Sequence, residues 1–147
     1  MPDEPLGPIL RREIRRKRFG PLAQCTSCGE RDPLLLQQTS VGIECSRCEA
    51  VRMSGKPTEA HHPAGRANSS LAVILDANLH ALFTDAQYDW PLETLVNRDR
   101  RPARRLAALI RALIDFARIA LPLLLDDLEE LVEWLEANDL DLERKPK

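Results

Sequence analysis

The sequence predicts an α+β fold in which a small zinc ribbon precedes a short strand–helix unit and a C-terminal α-helical hairpin. Three observations lead to this prediction. Two Cys-x2-Cys pairs enclose two strand-like segments, all three histidines of the 147-residue chain share one short stretch, and helical periodicity begins at Pro102. We divide the chain into a disordered basic N-terminal arm (1–18), the ribbon (19–56), the strand–helix unit (57–97) and the C-terminal helices (98–147).

The N-terminal arm combines prolines with a dense run of positive charge. Three prolines and a glycine within residues 1–10 predict disorder. Six basic residues follow within residues 11–18. Such a run is either a solvated arm or a phosphate-contacting one, and in the second case Arg15, Arg16 and Lys17 are candidate nucleic-acid contacts.

The four cysteines of the chain form the strongest motif. They are Cys25, Cys28, Cys45 and Cys48, with the spacing Cys-x2-Cys-x16-Cys-x2-Cys. Each pair can aim two thiolates at one ion, and Zn²⁺ favours four such ligands in a tetrahedron. The alternatives are an iron–sulfur centre and redox cysteines. Between the pairs, residues 33–38 and 41–44 read as two short strands. Because four thiolates leave no position for water, we expect a structural zinc site.

The histidine stretch follows the ribbon. Residues 57–70 are rich in turn-forming residues and carry His61 and His62 side by side. Residues 71–75, with the sequence LAVIL, predict a short buried strand, and residues 77–87 predict a helix that contains His80.

Two adjacent histidines do not automatically serve one site. Neighbouring side chains on a strand point to opposite faces, so His61 and His62 can act together only if the strand bends or ends there. Pro63 and Gly65 follow directly and allow such a bend.

The C-terminal region has the periodicity of long amphipathic helices. Pro102 suits a helix start, and Pro122 is expected to break or kink the run. One apolar stripe precedes Pro122 and a second follows it; their members are Leu106, Leu109, Ile110, Leu113 and Ala117, then Leu124, Leu128, Leu131 and Leu135. Such stripes are typical of helix–helix packing, either as a hairpin or in a homodimer or protein partner complex.

Charge is unevenly distributed along the chain, although the net charge is only −2. Residues 98–118 carry seven arginines and two acids, whereas residues 119–147 carry three basic residues and nine acids. Basic surfaces of this kind favour a polyanionic partner. We see no secretory signal and no apolar run near the ~20 residues needed to span a bilayer, so we expect no membrane partner and a cytoplasmic location.

The residues from His61 to Pro91 carry a family resemblance. The phrases HHPAGRANS and NLHALFTDAQYDWP, separated by a strand, resemble HNH-type proteins encoded by bacteria and phages. The resemblance covers roughly residues 57–91, preceded by the ribbon. It implies a ββα-metal unit of two strands and a helix, and hydrolysis of DNA phosphodiester bonds.

The resemblance also implies roles for individual residues. His61 and His80 would be ligands of a catalytic divalent ion, Mg²⁺ or Mn²⁺, and His62 would be the general base. Asn68 would be the asparagine that braces the loop between the strands, with Asn78 as the second choice. Basic residues near this unit would contact DNA; the candidates are Arg66, Arg104 and Arg105 together with the basic arm.

Three functions therefore remain open at this level. The first is a metal-dependent HNH-type endonuclease acting on DNA. The second is a non-catalytic module that uses a zinc ribbon and an HNH-like fold to bind nucleic acid or a protein. The third is a structural or assembly protein dominated by its acidic helices.

Overall fold

The computed structural model describes residues 7–138, whose helices and strands are compatible with the α+β class. In chain order they are α1 (Pro8–Phe19), β1 (Leu36–Thr39), β2 (Gly42–Cys45), α2 (Ser46–Ser54), β3 (Thr58–His61), β4 (Val73–Asp76), α3 (Ala77–Gln87), α4 (Leu92–Val96) and α5 (Pro102–Asn138). The strands pair as two separate antiparallel hairpins, β1 with β2 and β3 with β4. None of the helices described here is long and apolar enough to cross a membrane.

The cysteine region folds around the first hairpin. Leu36 of β1 pairs with Cys45 at the end of β2, and α2 begins at the next residue. The two strands predicted between the cysteine pairs are confirmed, each displaced by one to three residues at its ends. Cys25, Leu36 and Cys45 are buried together, and Ala81 and Leu82 of α3 pack against this cluster. The hairpin therefore shares its core with the helix that carries His80.

The second hairpin leads directly into α3. His61 at the end of β3 pairs with Val73, and Asp76 at the end of β4 caps α3 by accepting a hydrogen bond from the Asn78 backbone N–H (3.0 Å). The helix predicted over residues 77–87 is confirmed. The prediction of a buried strand is wrong, because Ile74 is 70% exposed. A two-stranded sheet has only one face against the core, so alternate apolar residues of β4 remain in solvent.

The predicted disorder of the basic arm is also wrong for residues 8–18, which belong to α1. Pro8 occupies the first turn, and the helix ends before Gly20, whose φ of 93° suits glycine. Arg11 holds α1 against α3 through Asp85 and Asp89, with nitrogen–oxygen distances of 2.8 Å and 2.6 Å. These acids stand far away in sequence, so local composition could not reveal them. Residues 1–6 lie outside the described part.

Replacing Arg11 with methionine is expected to lower the free energy of unfolding by about 3 kcal/mol. The Asp85 side chain is only 6% exposed, and removing its cation leaves a buried charge uncompensated. Arg12→Met is the matched control, because Arg12 pairs with Asp32 at a half-exposed site and should cost less than about 1 kcal/mol. Urea denaturation measures both variants, and equal losses would contradict the structural role of Arg11.

The C-terminal segment forms one continuous helix rather than the predicted hairpin. Helix α5 has 37 residues and passes through Pro122. A proline removes one N–H donor and crowds the carbonyl four residues earlier. The neighbours of Pro122 are leucine, isoleucine and alanine, with no glycine or polar turn residue to form a loop. The prediction of a hairpin, which rested on Pro122, is therefore wrong. Residues 139–147 lie outside the described part.

Only the N-terminal half of α5 packs on the rest of the described chain. Ala108 is fully buried beside Ala64 and Trp90, and the Trp90 indole Nε1–H donates to Asp115 Oδ2 at 2.8 Å. Every residue from 121 to 136 is exposed. The helix thus begins on the body of the molecule and extends away from it.

Candidate functional site

The four cysteines converge as their spacing predicted. Their sulfur atoms all lie within 4.8 Å of one another, and no disulfide joins them. Cys28 Sγ and Cys45 Sγ are 3.6 Å apart, close to the roughly 3.8 Å between two thiolates of a tetrahedral zinc centre with 2.3 Å bonds. Cys25 and Cys45 are buried, whereas Cys28 lies at the surface. The cluster can hold a metal ion such as zinc.

Burial and the closeness of the four sulfurs shift the pKa values of the cysteine thiols. Burial opposes ionisation of Cys25, but hydrogen bonds from the backbone and from Cys28 outweigh it and lower the pKa of Cys25 to about 6. Burial and the neighbouring sulfurs instead raise the pKa of Cys48, and burial is also the main cause of the raised pKa of Cys45. Four thiolates therefore require a compensating positive charge, which a bound metal ion supplies.

The second hairpin and α3 bring two histidines together. His61, at the last position of β3, is buried, and its ring centroid lies 5.2 Å from that of His80 on α3. Phe83, one turn further along α3, also packs against His61, with ring centroids 5.5 Å apart. Burial, helped by the nearby rings of His80 and His62, lowers the pKa of His61 to about 4. The ring is therefore neutral near pH 7, the state in which imidazole binds metals.

Glu59 orients His80 and is a functional candidate that the sequence analysis missed. Glu59 Oε2 lies 2.6 Å from His80 Nδ1. A proton on Nδ1 satisfies this contact and leaves Nε2 of His80 as an acceptor, the usual arrangement of a metal-ligating histidine and its supporting carboxylate. The signal was present, because Glu59 stands two residues before His61 and so shares its face of β3.

His62 lies just beyond the end of β3. The strand therefore ends at the point where it must end if His61 and His62 are to serve one site. It lines a cleft of about 270 Å³ together with His61, His80 and Arg66. Its Nδ1 atom is buried and has no hydrogen-bond partner among residues 7–138. Because Nδ1 is closed off from solvent, Nε2 is the nitrogen of His62 that can exchange a proton with water.

One face of α3 completes the cleft. His80, Thr84 and Gln87 follow one another at spacings of four and three residues, and all three line it. The Gln87 amide donates hydrogen bonds to the carbonyls of His62 (3.1 Å) and Pro63 (2.9 Å). Gln87 therefore fixes the backbone at His62. Asp85 lies on another side of α3, where it binds Arg11.

Asn68 lies in the connection between β3 and β4 and ties it to the following segment. Its Nδ2 donates to the carbonyls of Ala64 (2.9 Å) and Thr94 (2.8 Å), and its Oδ1 accepts from Asn97 Nδ2 (2.8 Å). Gly65 allows the tight turn, since its φ is +76° and a Cβ there would meet Leu95 at 3.1 Å. Asn78 instead accepts a hydrogen bond from the Arg47 backbone N–H (2.8 Å) and joins α2 to α3.

The predicted basic contacts fall into two groups around the cleft. Arg66 is exposed and also lines a second, adjoining cleft of about 560 Å³, whose other arginines are Arg98, Arg100 and Arg105. Arg104 turns away from this cleft and pairs with Glu93 at 2.8 Å. We call the surface formed by Arg66, Arg98, Arg100 and Arg105 the basic cleft.

The basic residues of α1 lie near a neighbouring face of α3, which shares His80 and Thr84 with the histidine cleft. Arg15 donates to the Leu34 carbonyl at 2.7 Å and lines a depression that also reaches His80. Arg16 pairs with Glu13 at 3.0 Å, and Lys17 is exposed. Of the three predicted contacts on α1, Lys17 is thus the one that engages no described acidic side chain or carbonyl.

Comparison with protein-family models, curated proteins and solved structures finds no match for this chain. Functional assignment therefore rests on the geometry of the cysteine cluster and of the histidine cleft. Every cysteine and histidine of these two sites could be identified from the sequence, whereas Glu59 and Gln87, which hold the histidines, could not.

Proposed function

We propose that this protein is a metal-dependent HNH-type endonuclease that hydrolyses phosphodiester bonds in DNA, and that its four cysteines bind a structural zinc ion. One observation carries the proposal. In a unit of two antiparallel strands followed by a helix, His61 ends the first strand, His80 faces it from the helix at 5.2 Å, and His62 lines the cleft beside them. The resemblance to HNH proteins implies this order of elements and these residues.

His61 and His80 would hold the catalytic divalent cation, Mg²⁺ or Mn²⁺. Bound there, the cation would supply positive charge to the phosphate and the leaving oxygen. His61 suits the task because it is neutral at pH 7, and His80 because Glu59 engages its Nδ1. The cysteine site would not replace this cation, since four thiolates close the coordination shell of zinc.

His62 is the proposed general base. Its Nε2 would accept a proton from the attacking water, and the phosphorus–oxygen bond to the leaving group would break as the new bond forms. Gln87 keeps the His62 backbone in place through two hydrogen bonds. Asn68 supports the same loop from the other side by joining it to the segment around Thr94 and Asn97.

The basic cleft is the proposed DNA-binding surface. Arg66 lines both clefts, so the basic cleft adjoins the histidine cleft. Arginine side chains bind phosphate oxygens and release counterions from DNA, which makes binding weaken with salt. A DNA strand held by Arg98, Arg100 and Arg105 would pass Arg66 and bring a phosphate to His62.

Arg105→Glu is expected to weaken DNA binding and to lower the slope of log affinity against log salt by about one. Arg104→Glu is the matched control on the same helix turn, because Arg104 is already paired with Glu93. Its effect on the salt slope should be smaller. Fluorescence anisotropy with a labelled duplex over a range of salt concentrations measures both variants. Equal slopes for Arg105→Glu and wild type would exclude Arg105 from the interface.

The direct test of the proposed activity is a plasmid-nicking assay. Purified protein is treated mildly with chelator so that the cysteine-bound zinc is retained, and it is then supplied with Mg²⁺ or Mn²⁺. Conversion of supercoiled plasmid to open-circular or linear DNA, dependent on the added cation, supports the proposal. Folded, zinc-containing protein that leaves several forms of DNA intact would contradict it.

One observation favours a second candidate, a non-catalytic nucleic-acid-binding module. Within residues 7–138, only the four cysteines form a converging group of three or more His, Cys, Asp or Glu ligands. In that part of the chain, the ligand atoms of His61 and His80 do not converge with those of a third such residue. A protein that binds DNA with a steep salt dependence but does not cleave it would match this candidate.

A further inference from the structure

Helix α5 carries a long apolar stripe on the side away from the body of the molecule. The stripe consists of Leu106, Ile110, Leu113, Ala117, Leu124, Leu128, Leu131 and Leu135. At 100° per residue these eight positions fall within about 60° of one another around the helix axis. Ala108 and Asp115, which are buried against the body, project from the opposite side. The stripe is about 45 Å long at 1.5 Å per residue.

This stripe is uncovered within the described part of the chain. Leu113 is 69% exposed and Leu124 is 54% exposed, and all residues from 121 to 136 are at the surface. Helices in proteins owe most of their stability to packing of an apolar face, and an exposed apolar patch of this length marks an interaction surface.

The spacing of the stripe suits a second copy of the same helix as its partner. Its positions are separated by 4, 3 and 4 residues before Pro122, and by 4, 3 and 4 residues after it. The pattern therefore reads the same from either end. When two copies of α5 lie antiparallel, each position of one comes level with a position of the other: 106 with 135, 110 with 131, 113 with 128, and 117 with 124. A second copy of this helix therefore matches the stripe position by position, and the charges along α5 decide between the antiparallel and parallel orientations.

Charge along α5 selects the same orientation. Between residues 102 and 118 the helix carries four arginines and one aspartate, whereas between 119 and 136 it carries six acids and no basic residue. A parallel pair would set basic half against basic half and acidic half against acidic half. An antiparallel pair sets each basic half alongside an acidic half, so the overall charge interaction between the two helices is attractive.

We propose that the protein forms a homodimer through antiparallel pairing of two α5 helices along this stripe. In this dimer the apolar stripes of two chains pack together. A helical hairpin would have made the same kind of contact within one chain. Pro122 lies beside the midpoint of the stripe, so any local irregularity it causes falls at the two-fold axis in both helices. This proposal is independent of the nuclease activity, because it concerns only the oligomeric state of the protein and the relative orientation of the two α5 helices.

A charge-exchange experiment on the full chain tests both the dimer and its orientation. Leu113 and Leu128 of opposite copies come level only in the antiparallel arrangement. Sedimentation equilibrium of the wild type should give twice the chain mass of 16.6 kDa. Leu113→Lys alone and Leu128→Glu alone should each shift the protein toward monomer. The double variant should recover the dimer, because each lysine then meets a glutamate of the second copy.

The outcomes are decisive in either direction. Leu123→Glu is the control, since Leu123 is similarly exposed at 49% but lies off the stripe, and it should leave the dimer intact. Circular dichroism checks that each variant keeps its helix content. A monomeric wild type at all concentrations, or single variants that remain dimeric, would overturn the proposal. Single variants that dissociate and a double variant that stays monomeric would overturn the antiparallel orientation.

Discussion

His62→Ala is expected to reduce the rate of metal-dependent plasmid cleavage by ~10²–10⁴, the usual contribution of a positioned general base. The ring lines the cleft beside His61 and His80, and its Nε2 is the nitrogen available to water. The substitution removes only a partly buried ring. The zinc content and the thermal unfolding of the protein should therefore stay close to those of wild type.

The other two histidines provide the comparison that separates a base from a ligand. His61→Ala and His80→Ala should raise the concentration of Mg²⁺ or Mn²⁺ needed for half-maximal cleavage, because each removes a proposed ligand. His62→Ala should leave that concentration nearly unchanged while the maximal rate falls. Equal nicking by wild type and His62→Ala would remove His62 from the mechanism.

Cys25→Ser is expected to abolish tight zinc binding and to unfold the region around β1 and β2. Structural zinc contributes roughly 10–16 kcal/mol of apparent binding free energy in zinc-finger peptides, comparable to the roughly 5–15 kcal/mol stability of a whole domain. Cys25 is 1% exposed and stands in the same buried cluster as Leu35, Leu36 and Cys45. A serine there would lose a ligand and place a hydroxyl in the core.

Metal analysis and thermal unfolding measure this effect. Wild type should retain about one zinc per chain after gel filtration, and Cys25→Ser much less. Ser27→Ala is the control, since Ser27 lies between the first two cysteines but is exposed. It should bind zinc as wild type does. A Cys25→Ser protein with full zinc content and unchanged stability would contradict the proposed role of the cysteines.

The cysteine cluster and α3 could be predicted from sequence because their signals are local. The Cys-x2-Cys spacing determines where each pair of sulfurs points, and the hairpin between the pairs closes the cluster. Helix α3 has a strong start signal in Asp76 and an uninterrupted run of helix-compatible residues. The end of β3 at His61 agrees with the bend that Pro63 and Gly65 allow, but the sequence alone did not locate it.

The remaining features depend on contacts between distant parts of the chain. Helix α1 is stabilised against α3 by Arg11, and its partners Asp85 and Asp89 are acids that sequence analysis had no reason to connect with it. The contact between Glu59 and His80 likewise forms only when β3 and α3 come together. At Pro122 the opposite holds, because the helix-forming residues around the proline outweigh its strong local tendency to break a helix.

The same Arg11 contact also sets the earliest point in synthesis at which α1 can pair with its acids. Arg11 stands 74 residues before Asp85 and 78 residues before Asp89. During synthesis at about 5–20 residues per second, α1 therefore waits roughly 4–16 s before the last of its partners has been added. Helix α1 can therefore form both ion pairs only after residue 89 has been added, and a nascent chain that stops before residue 85 lacks Asp85 and Asp89.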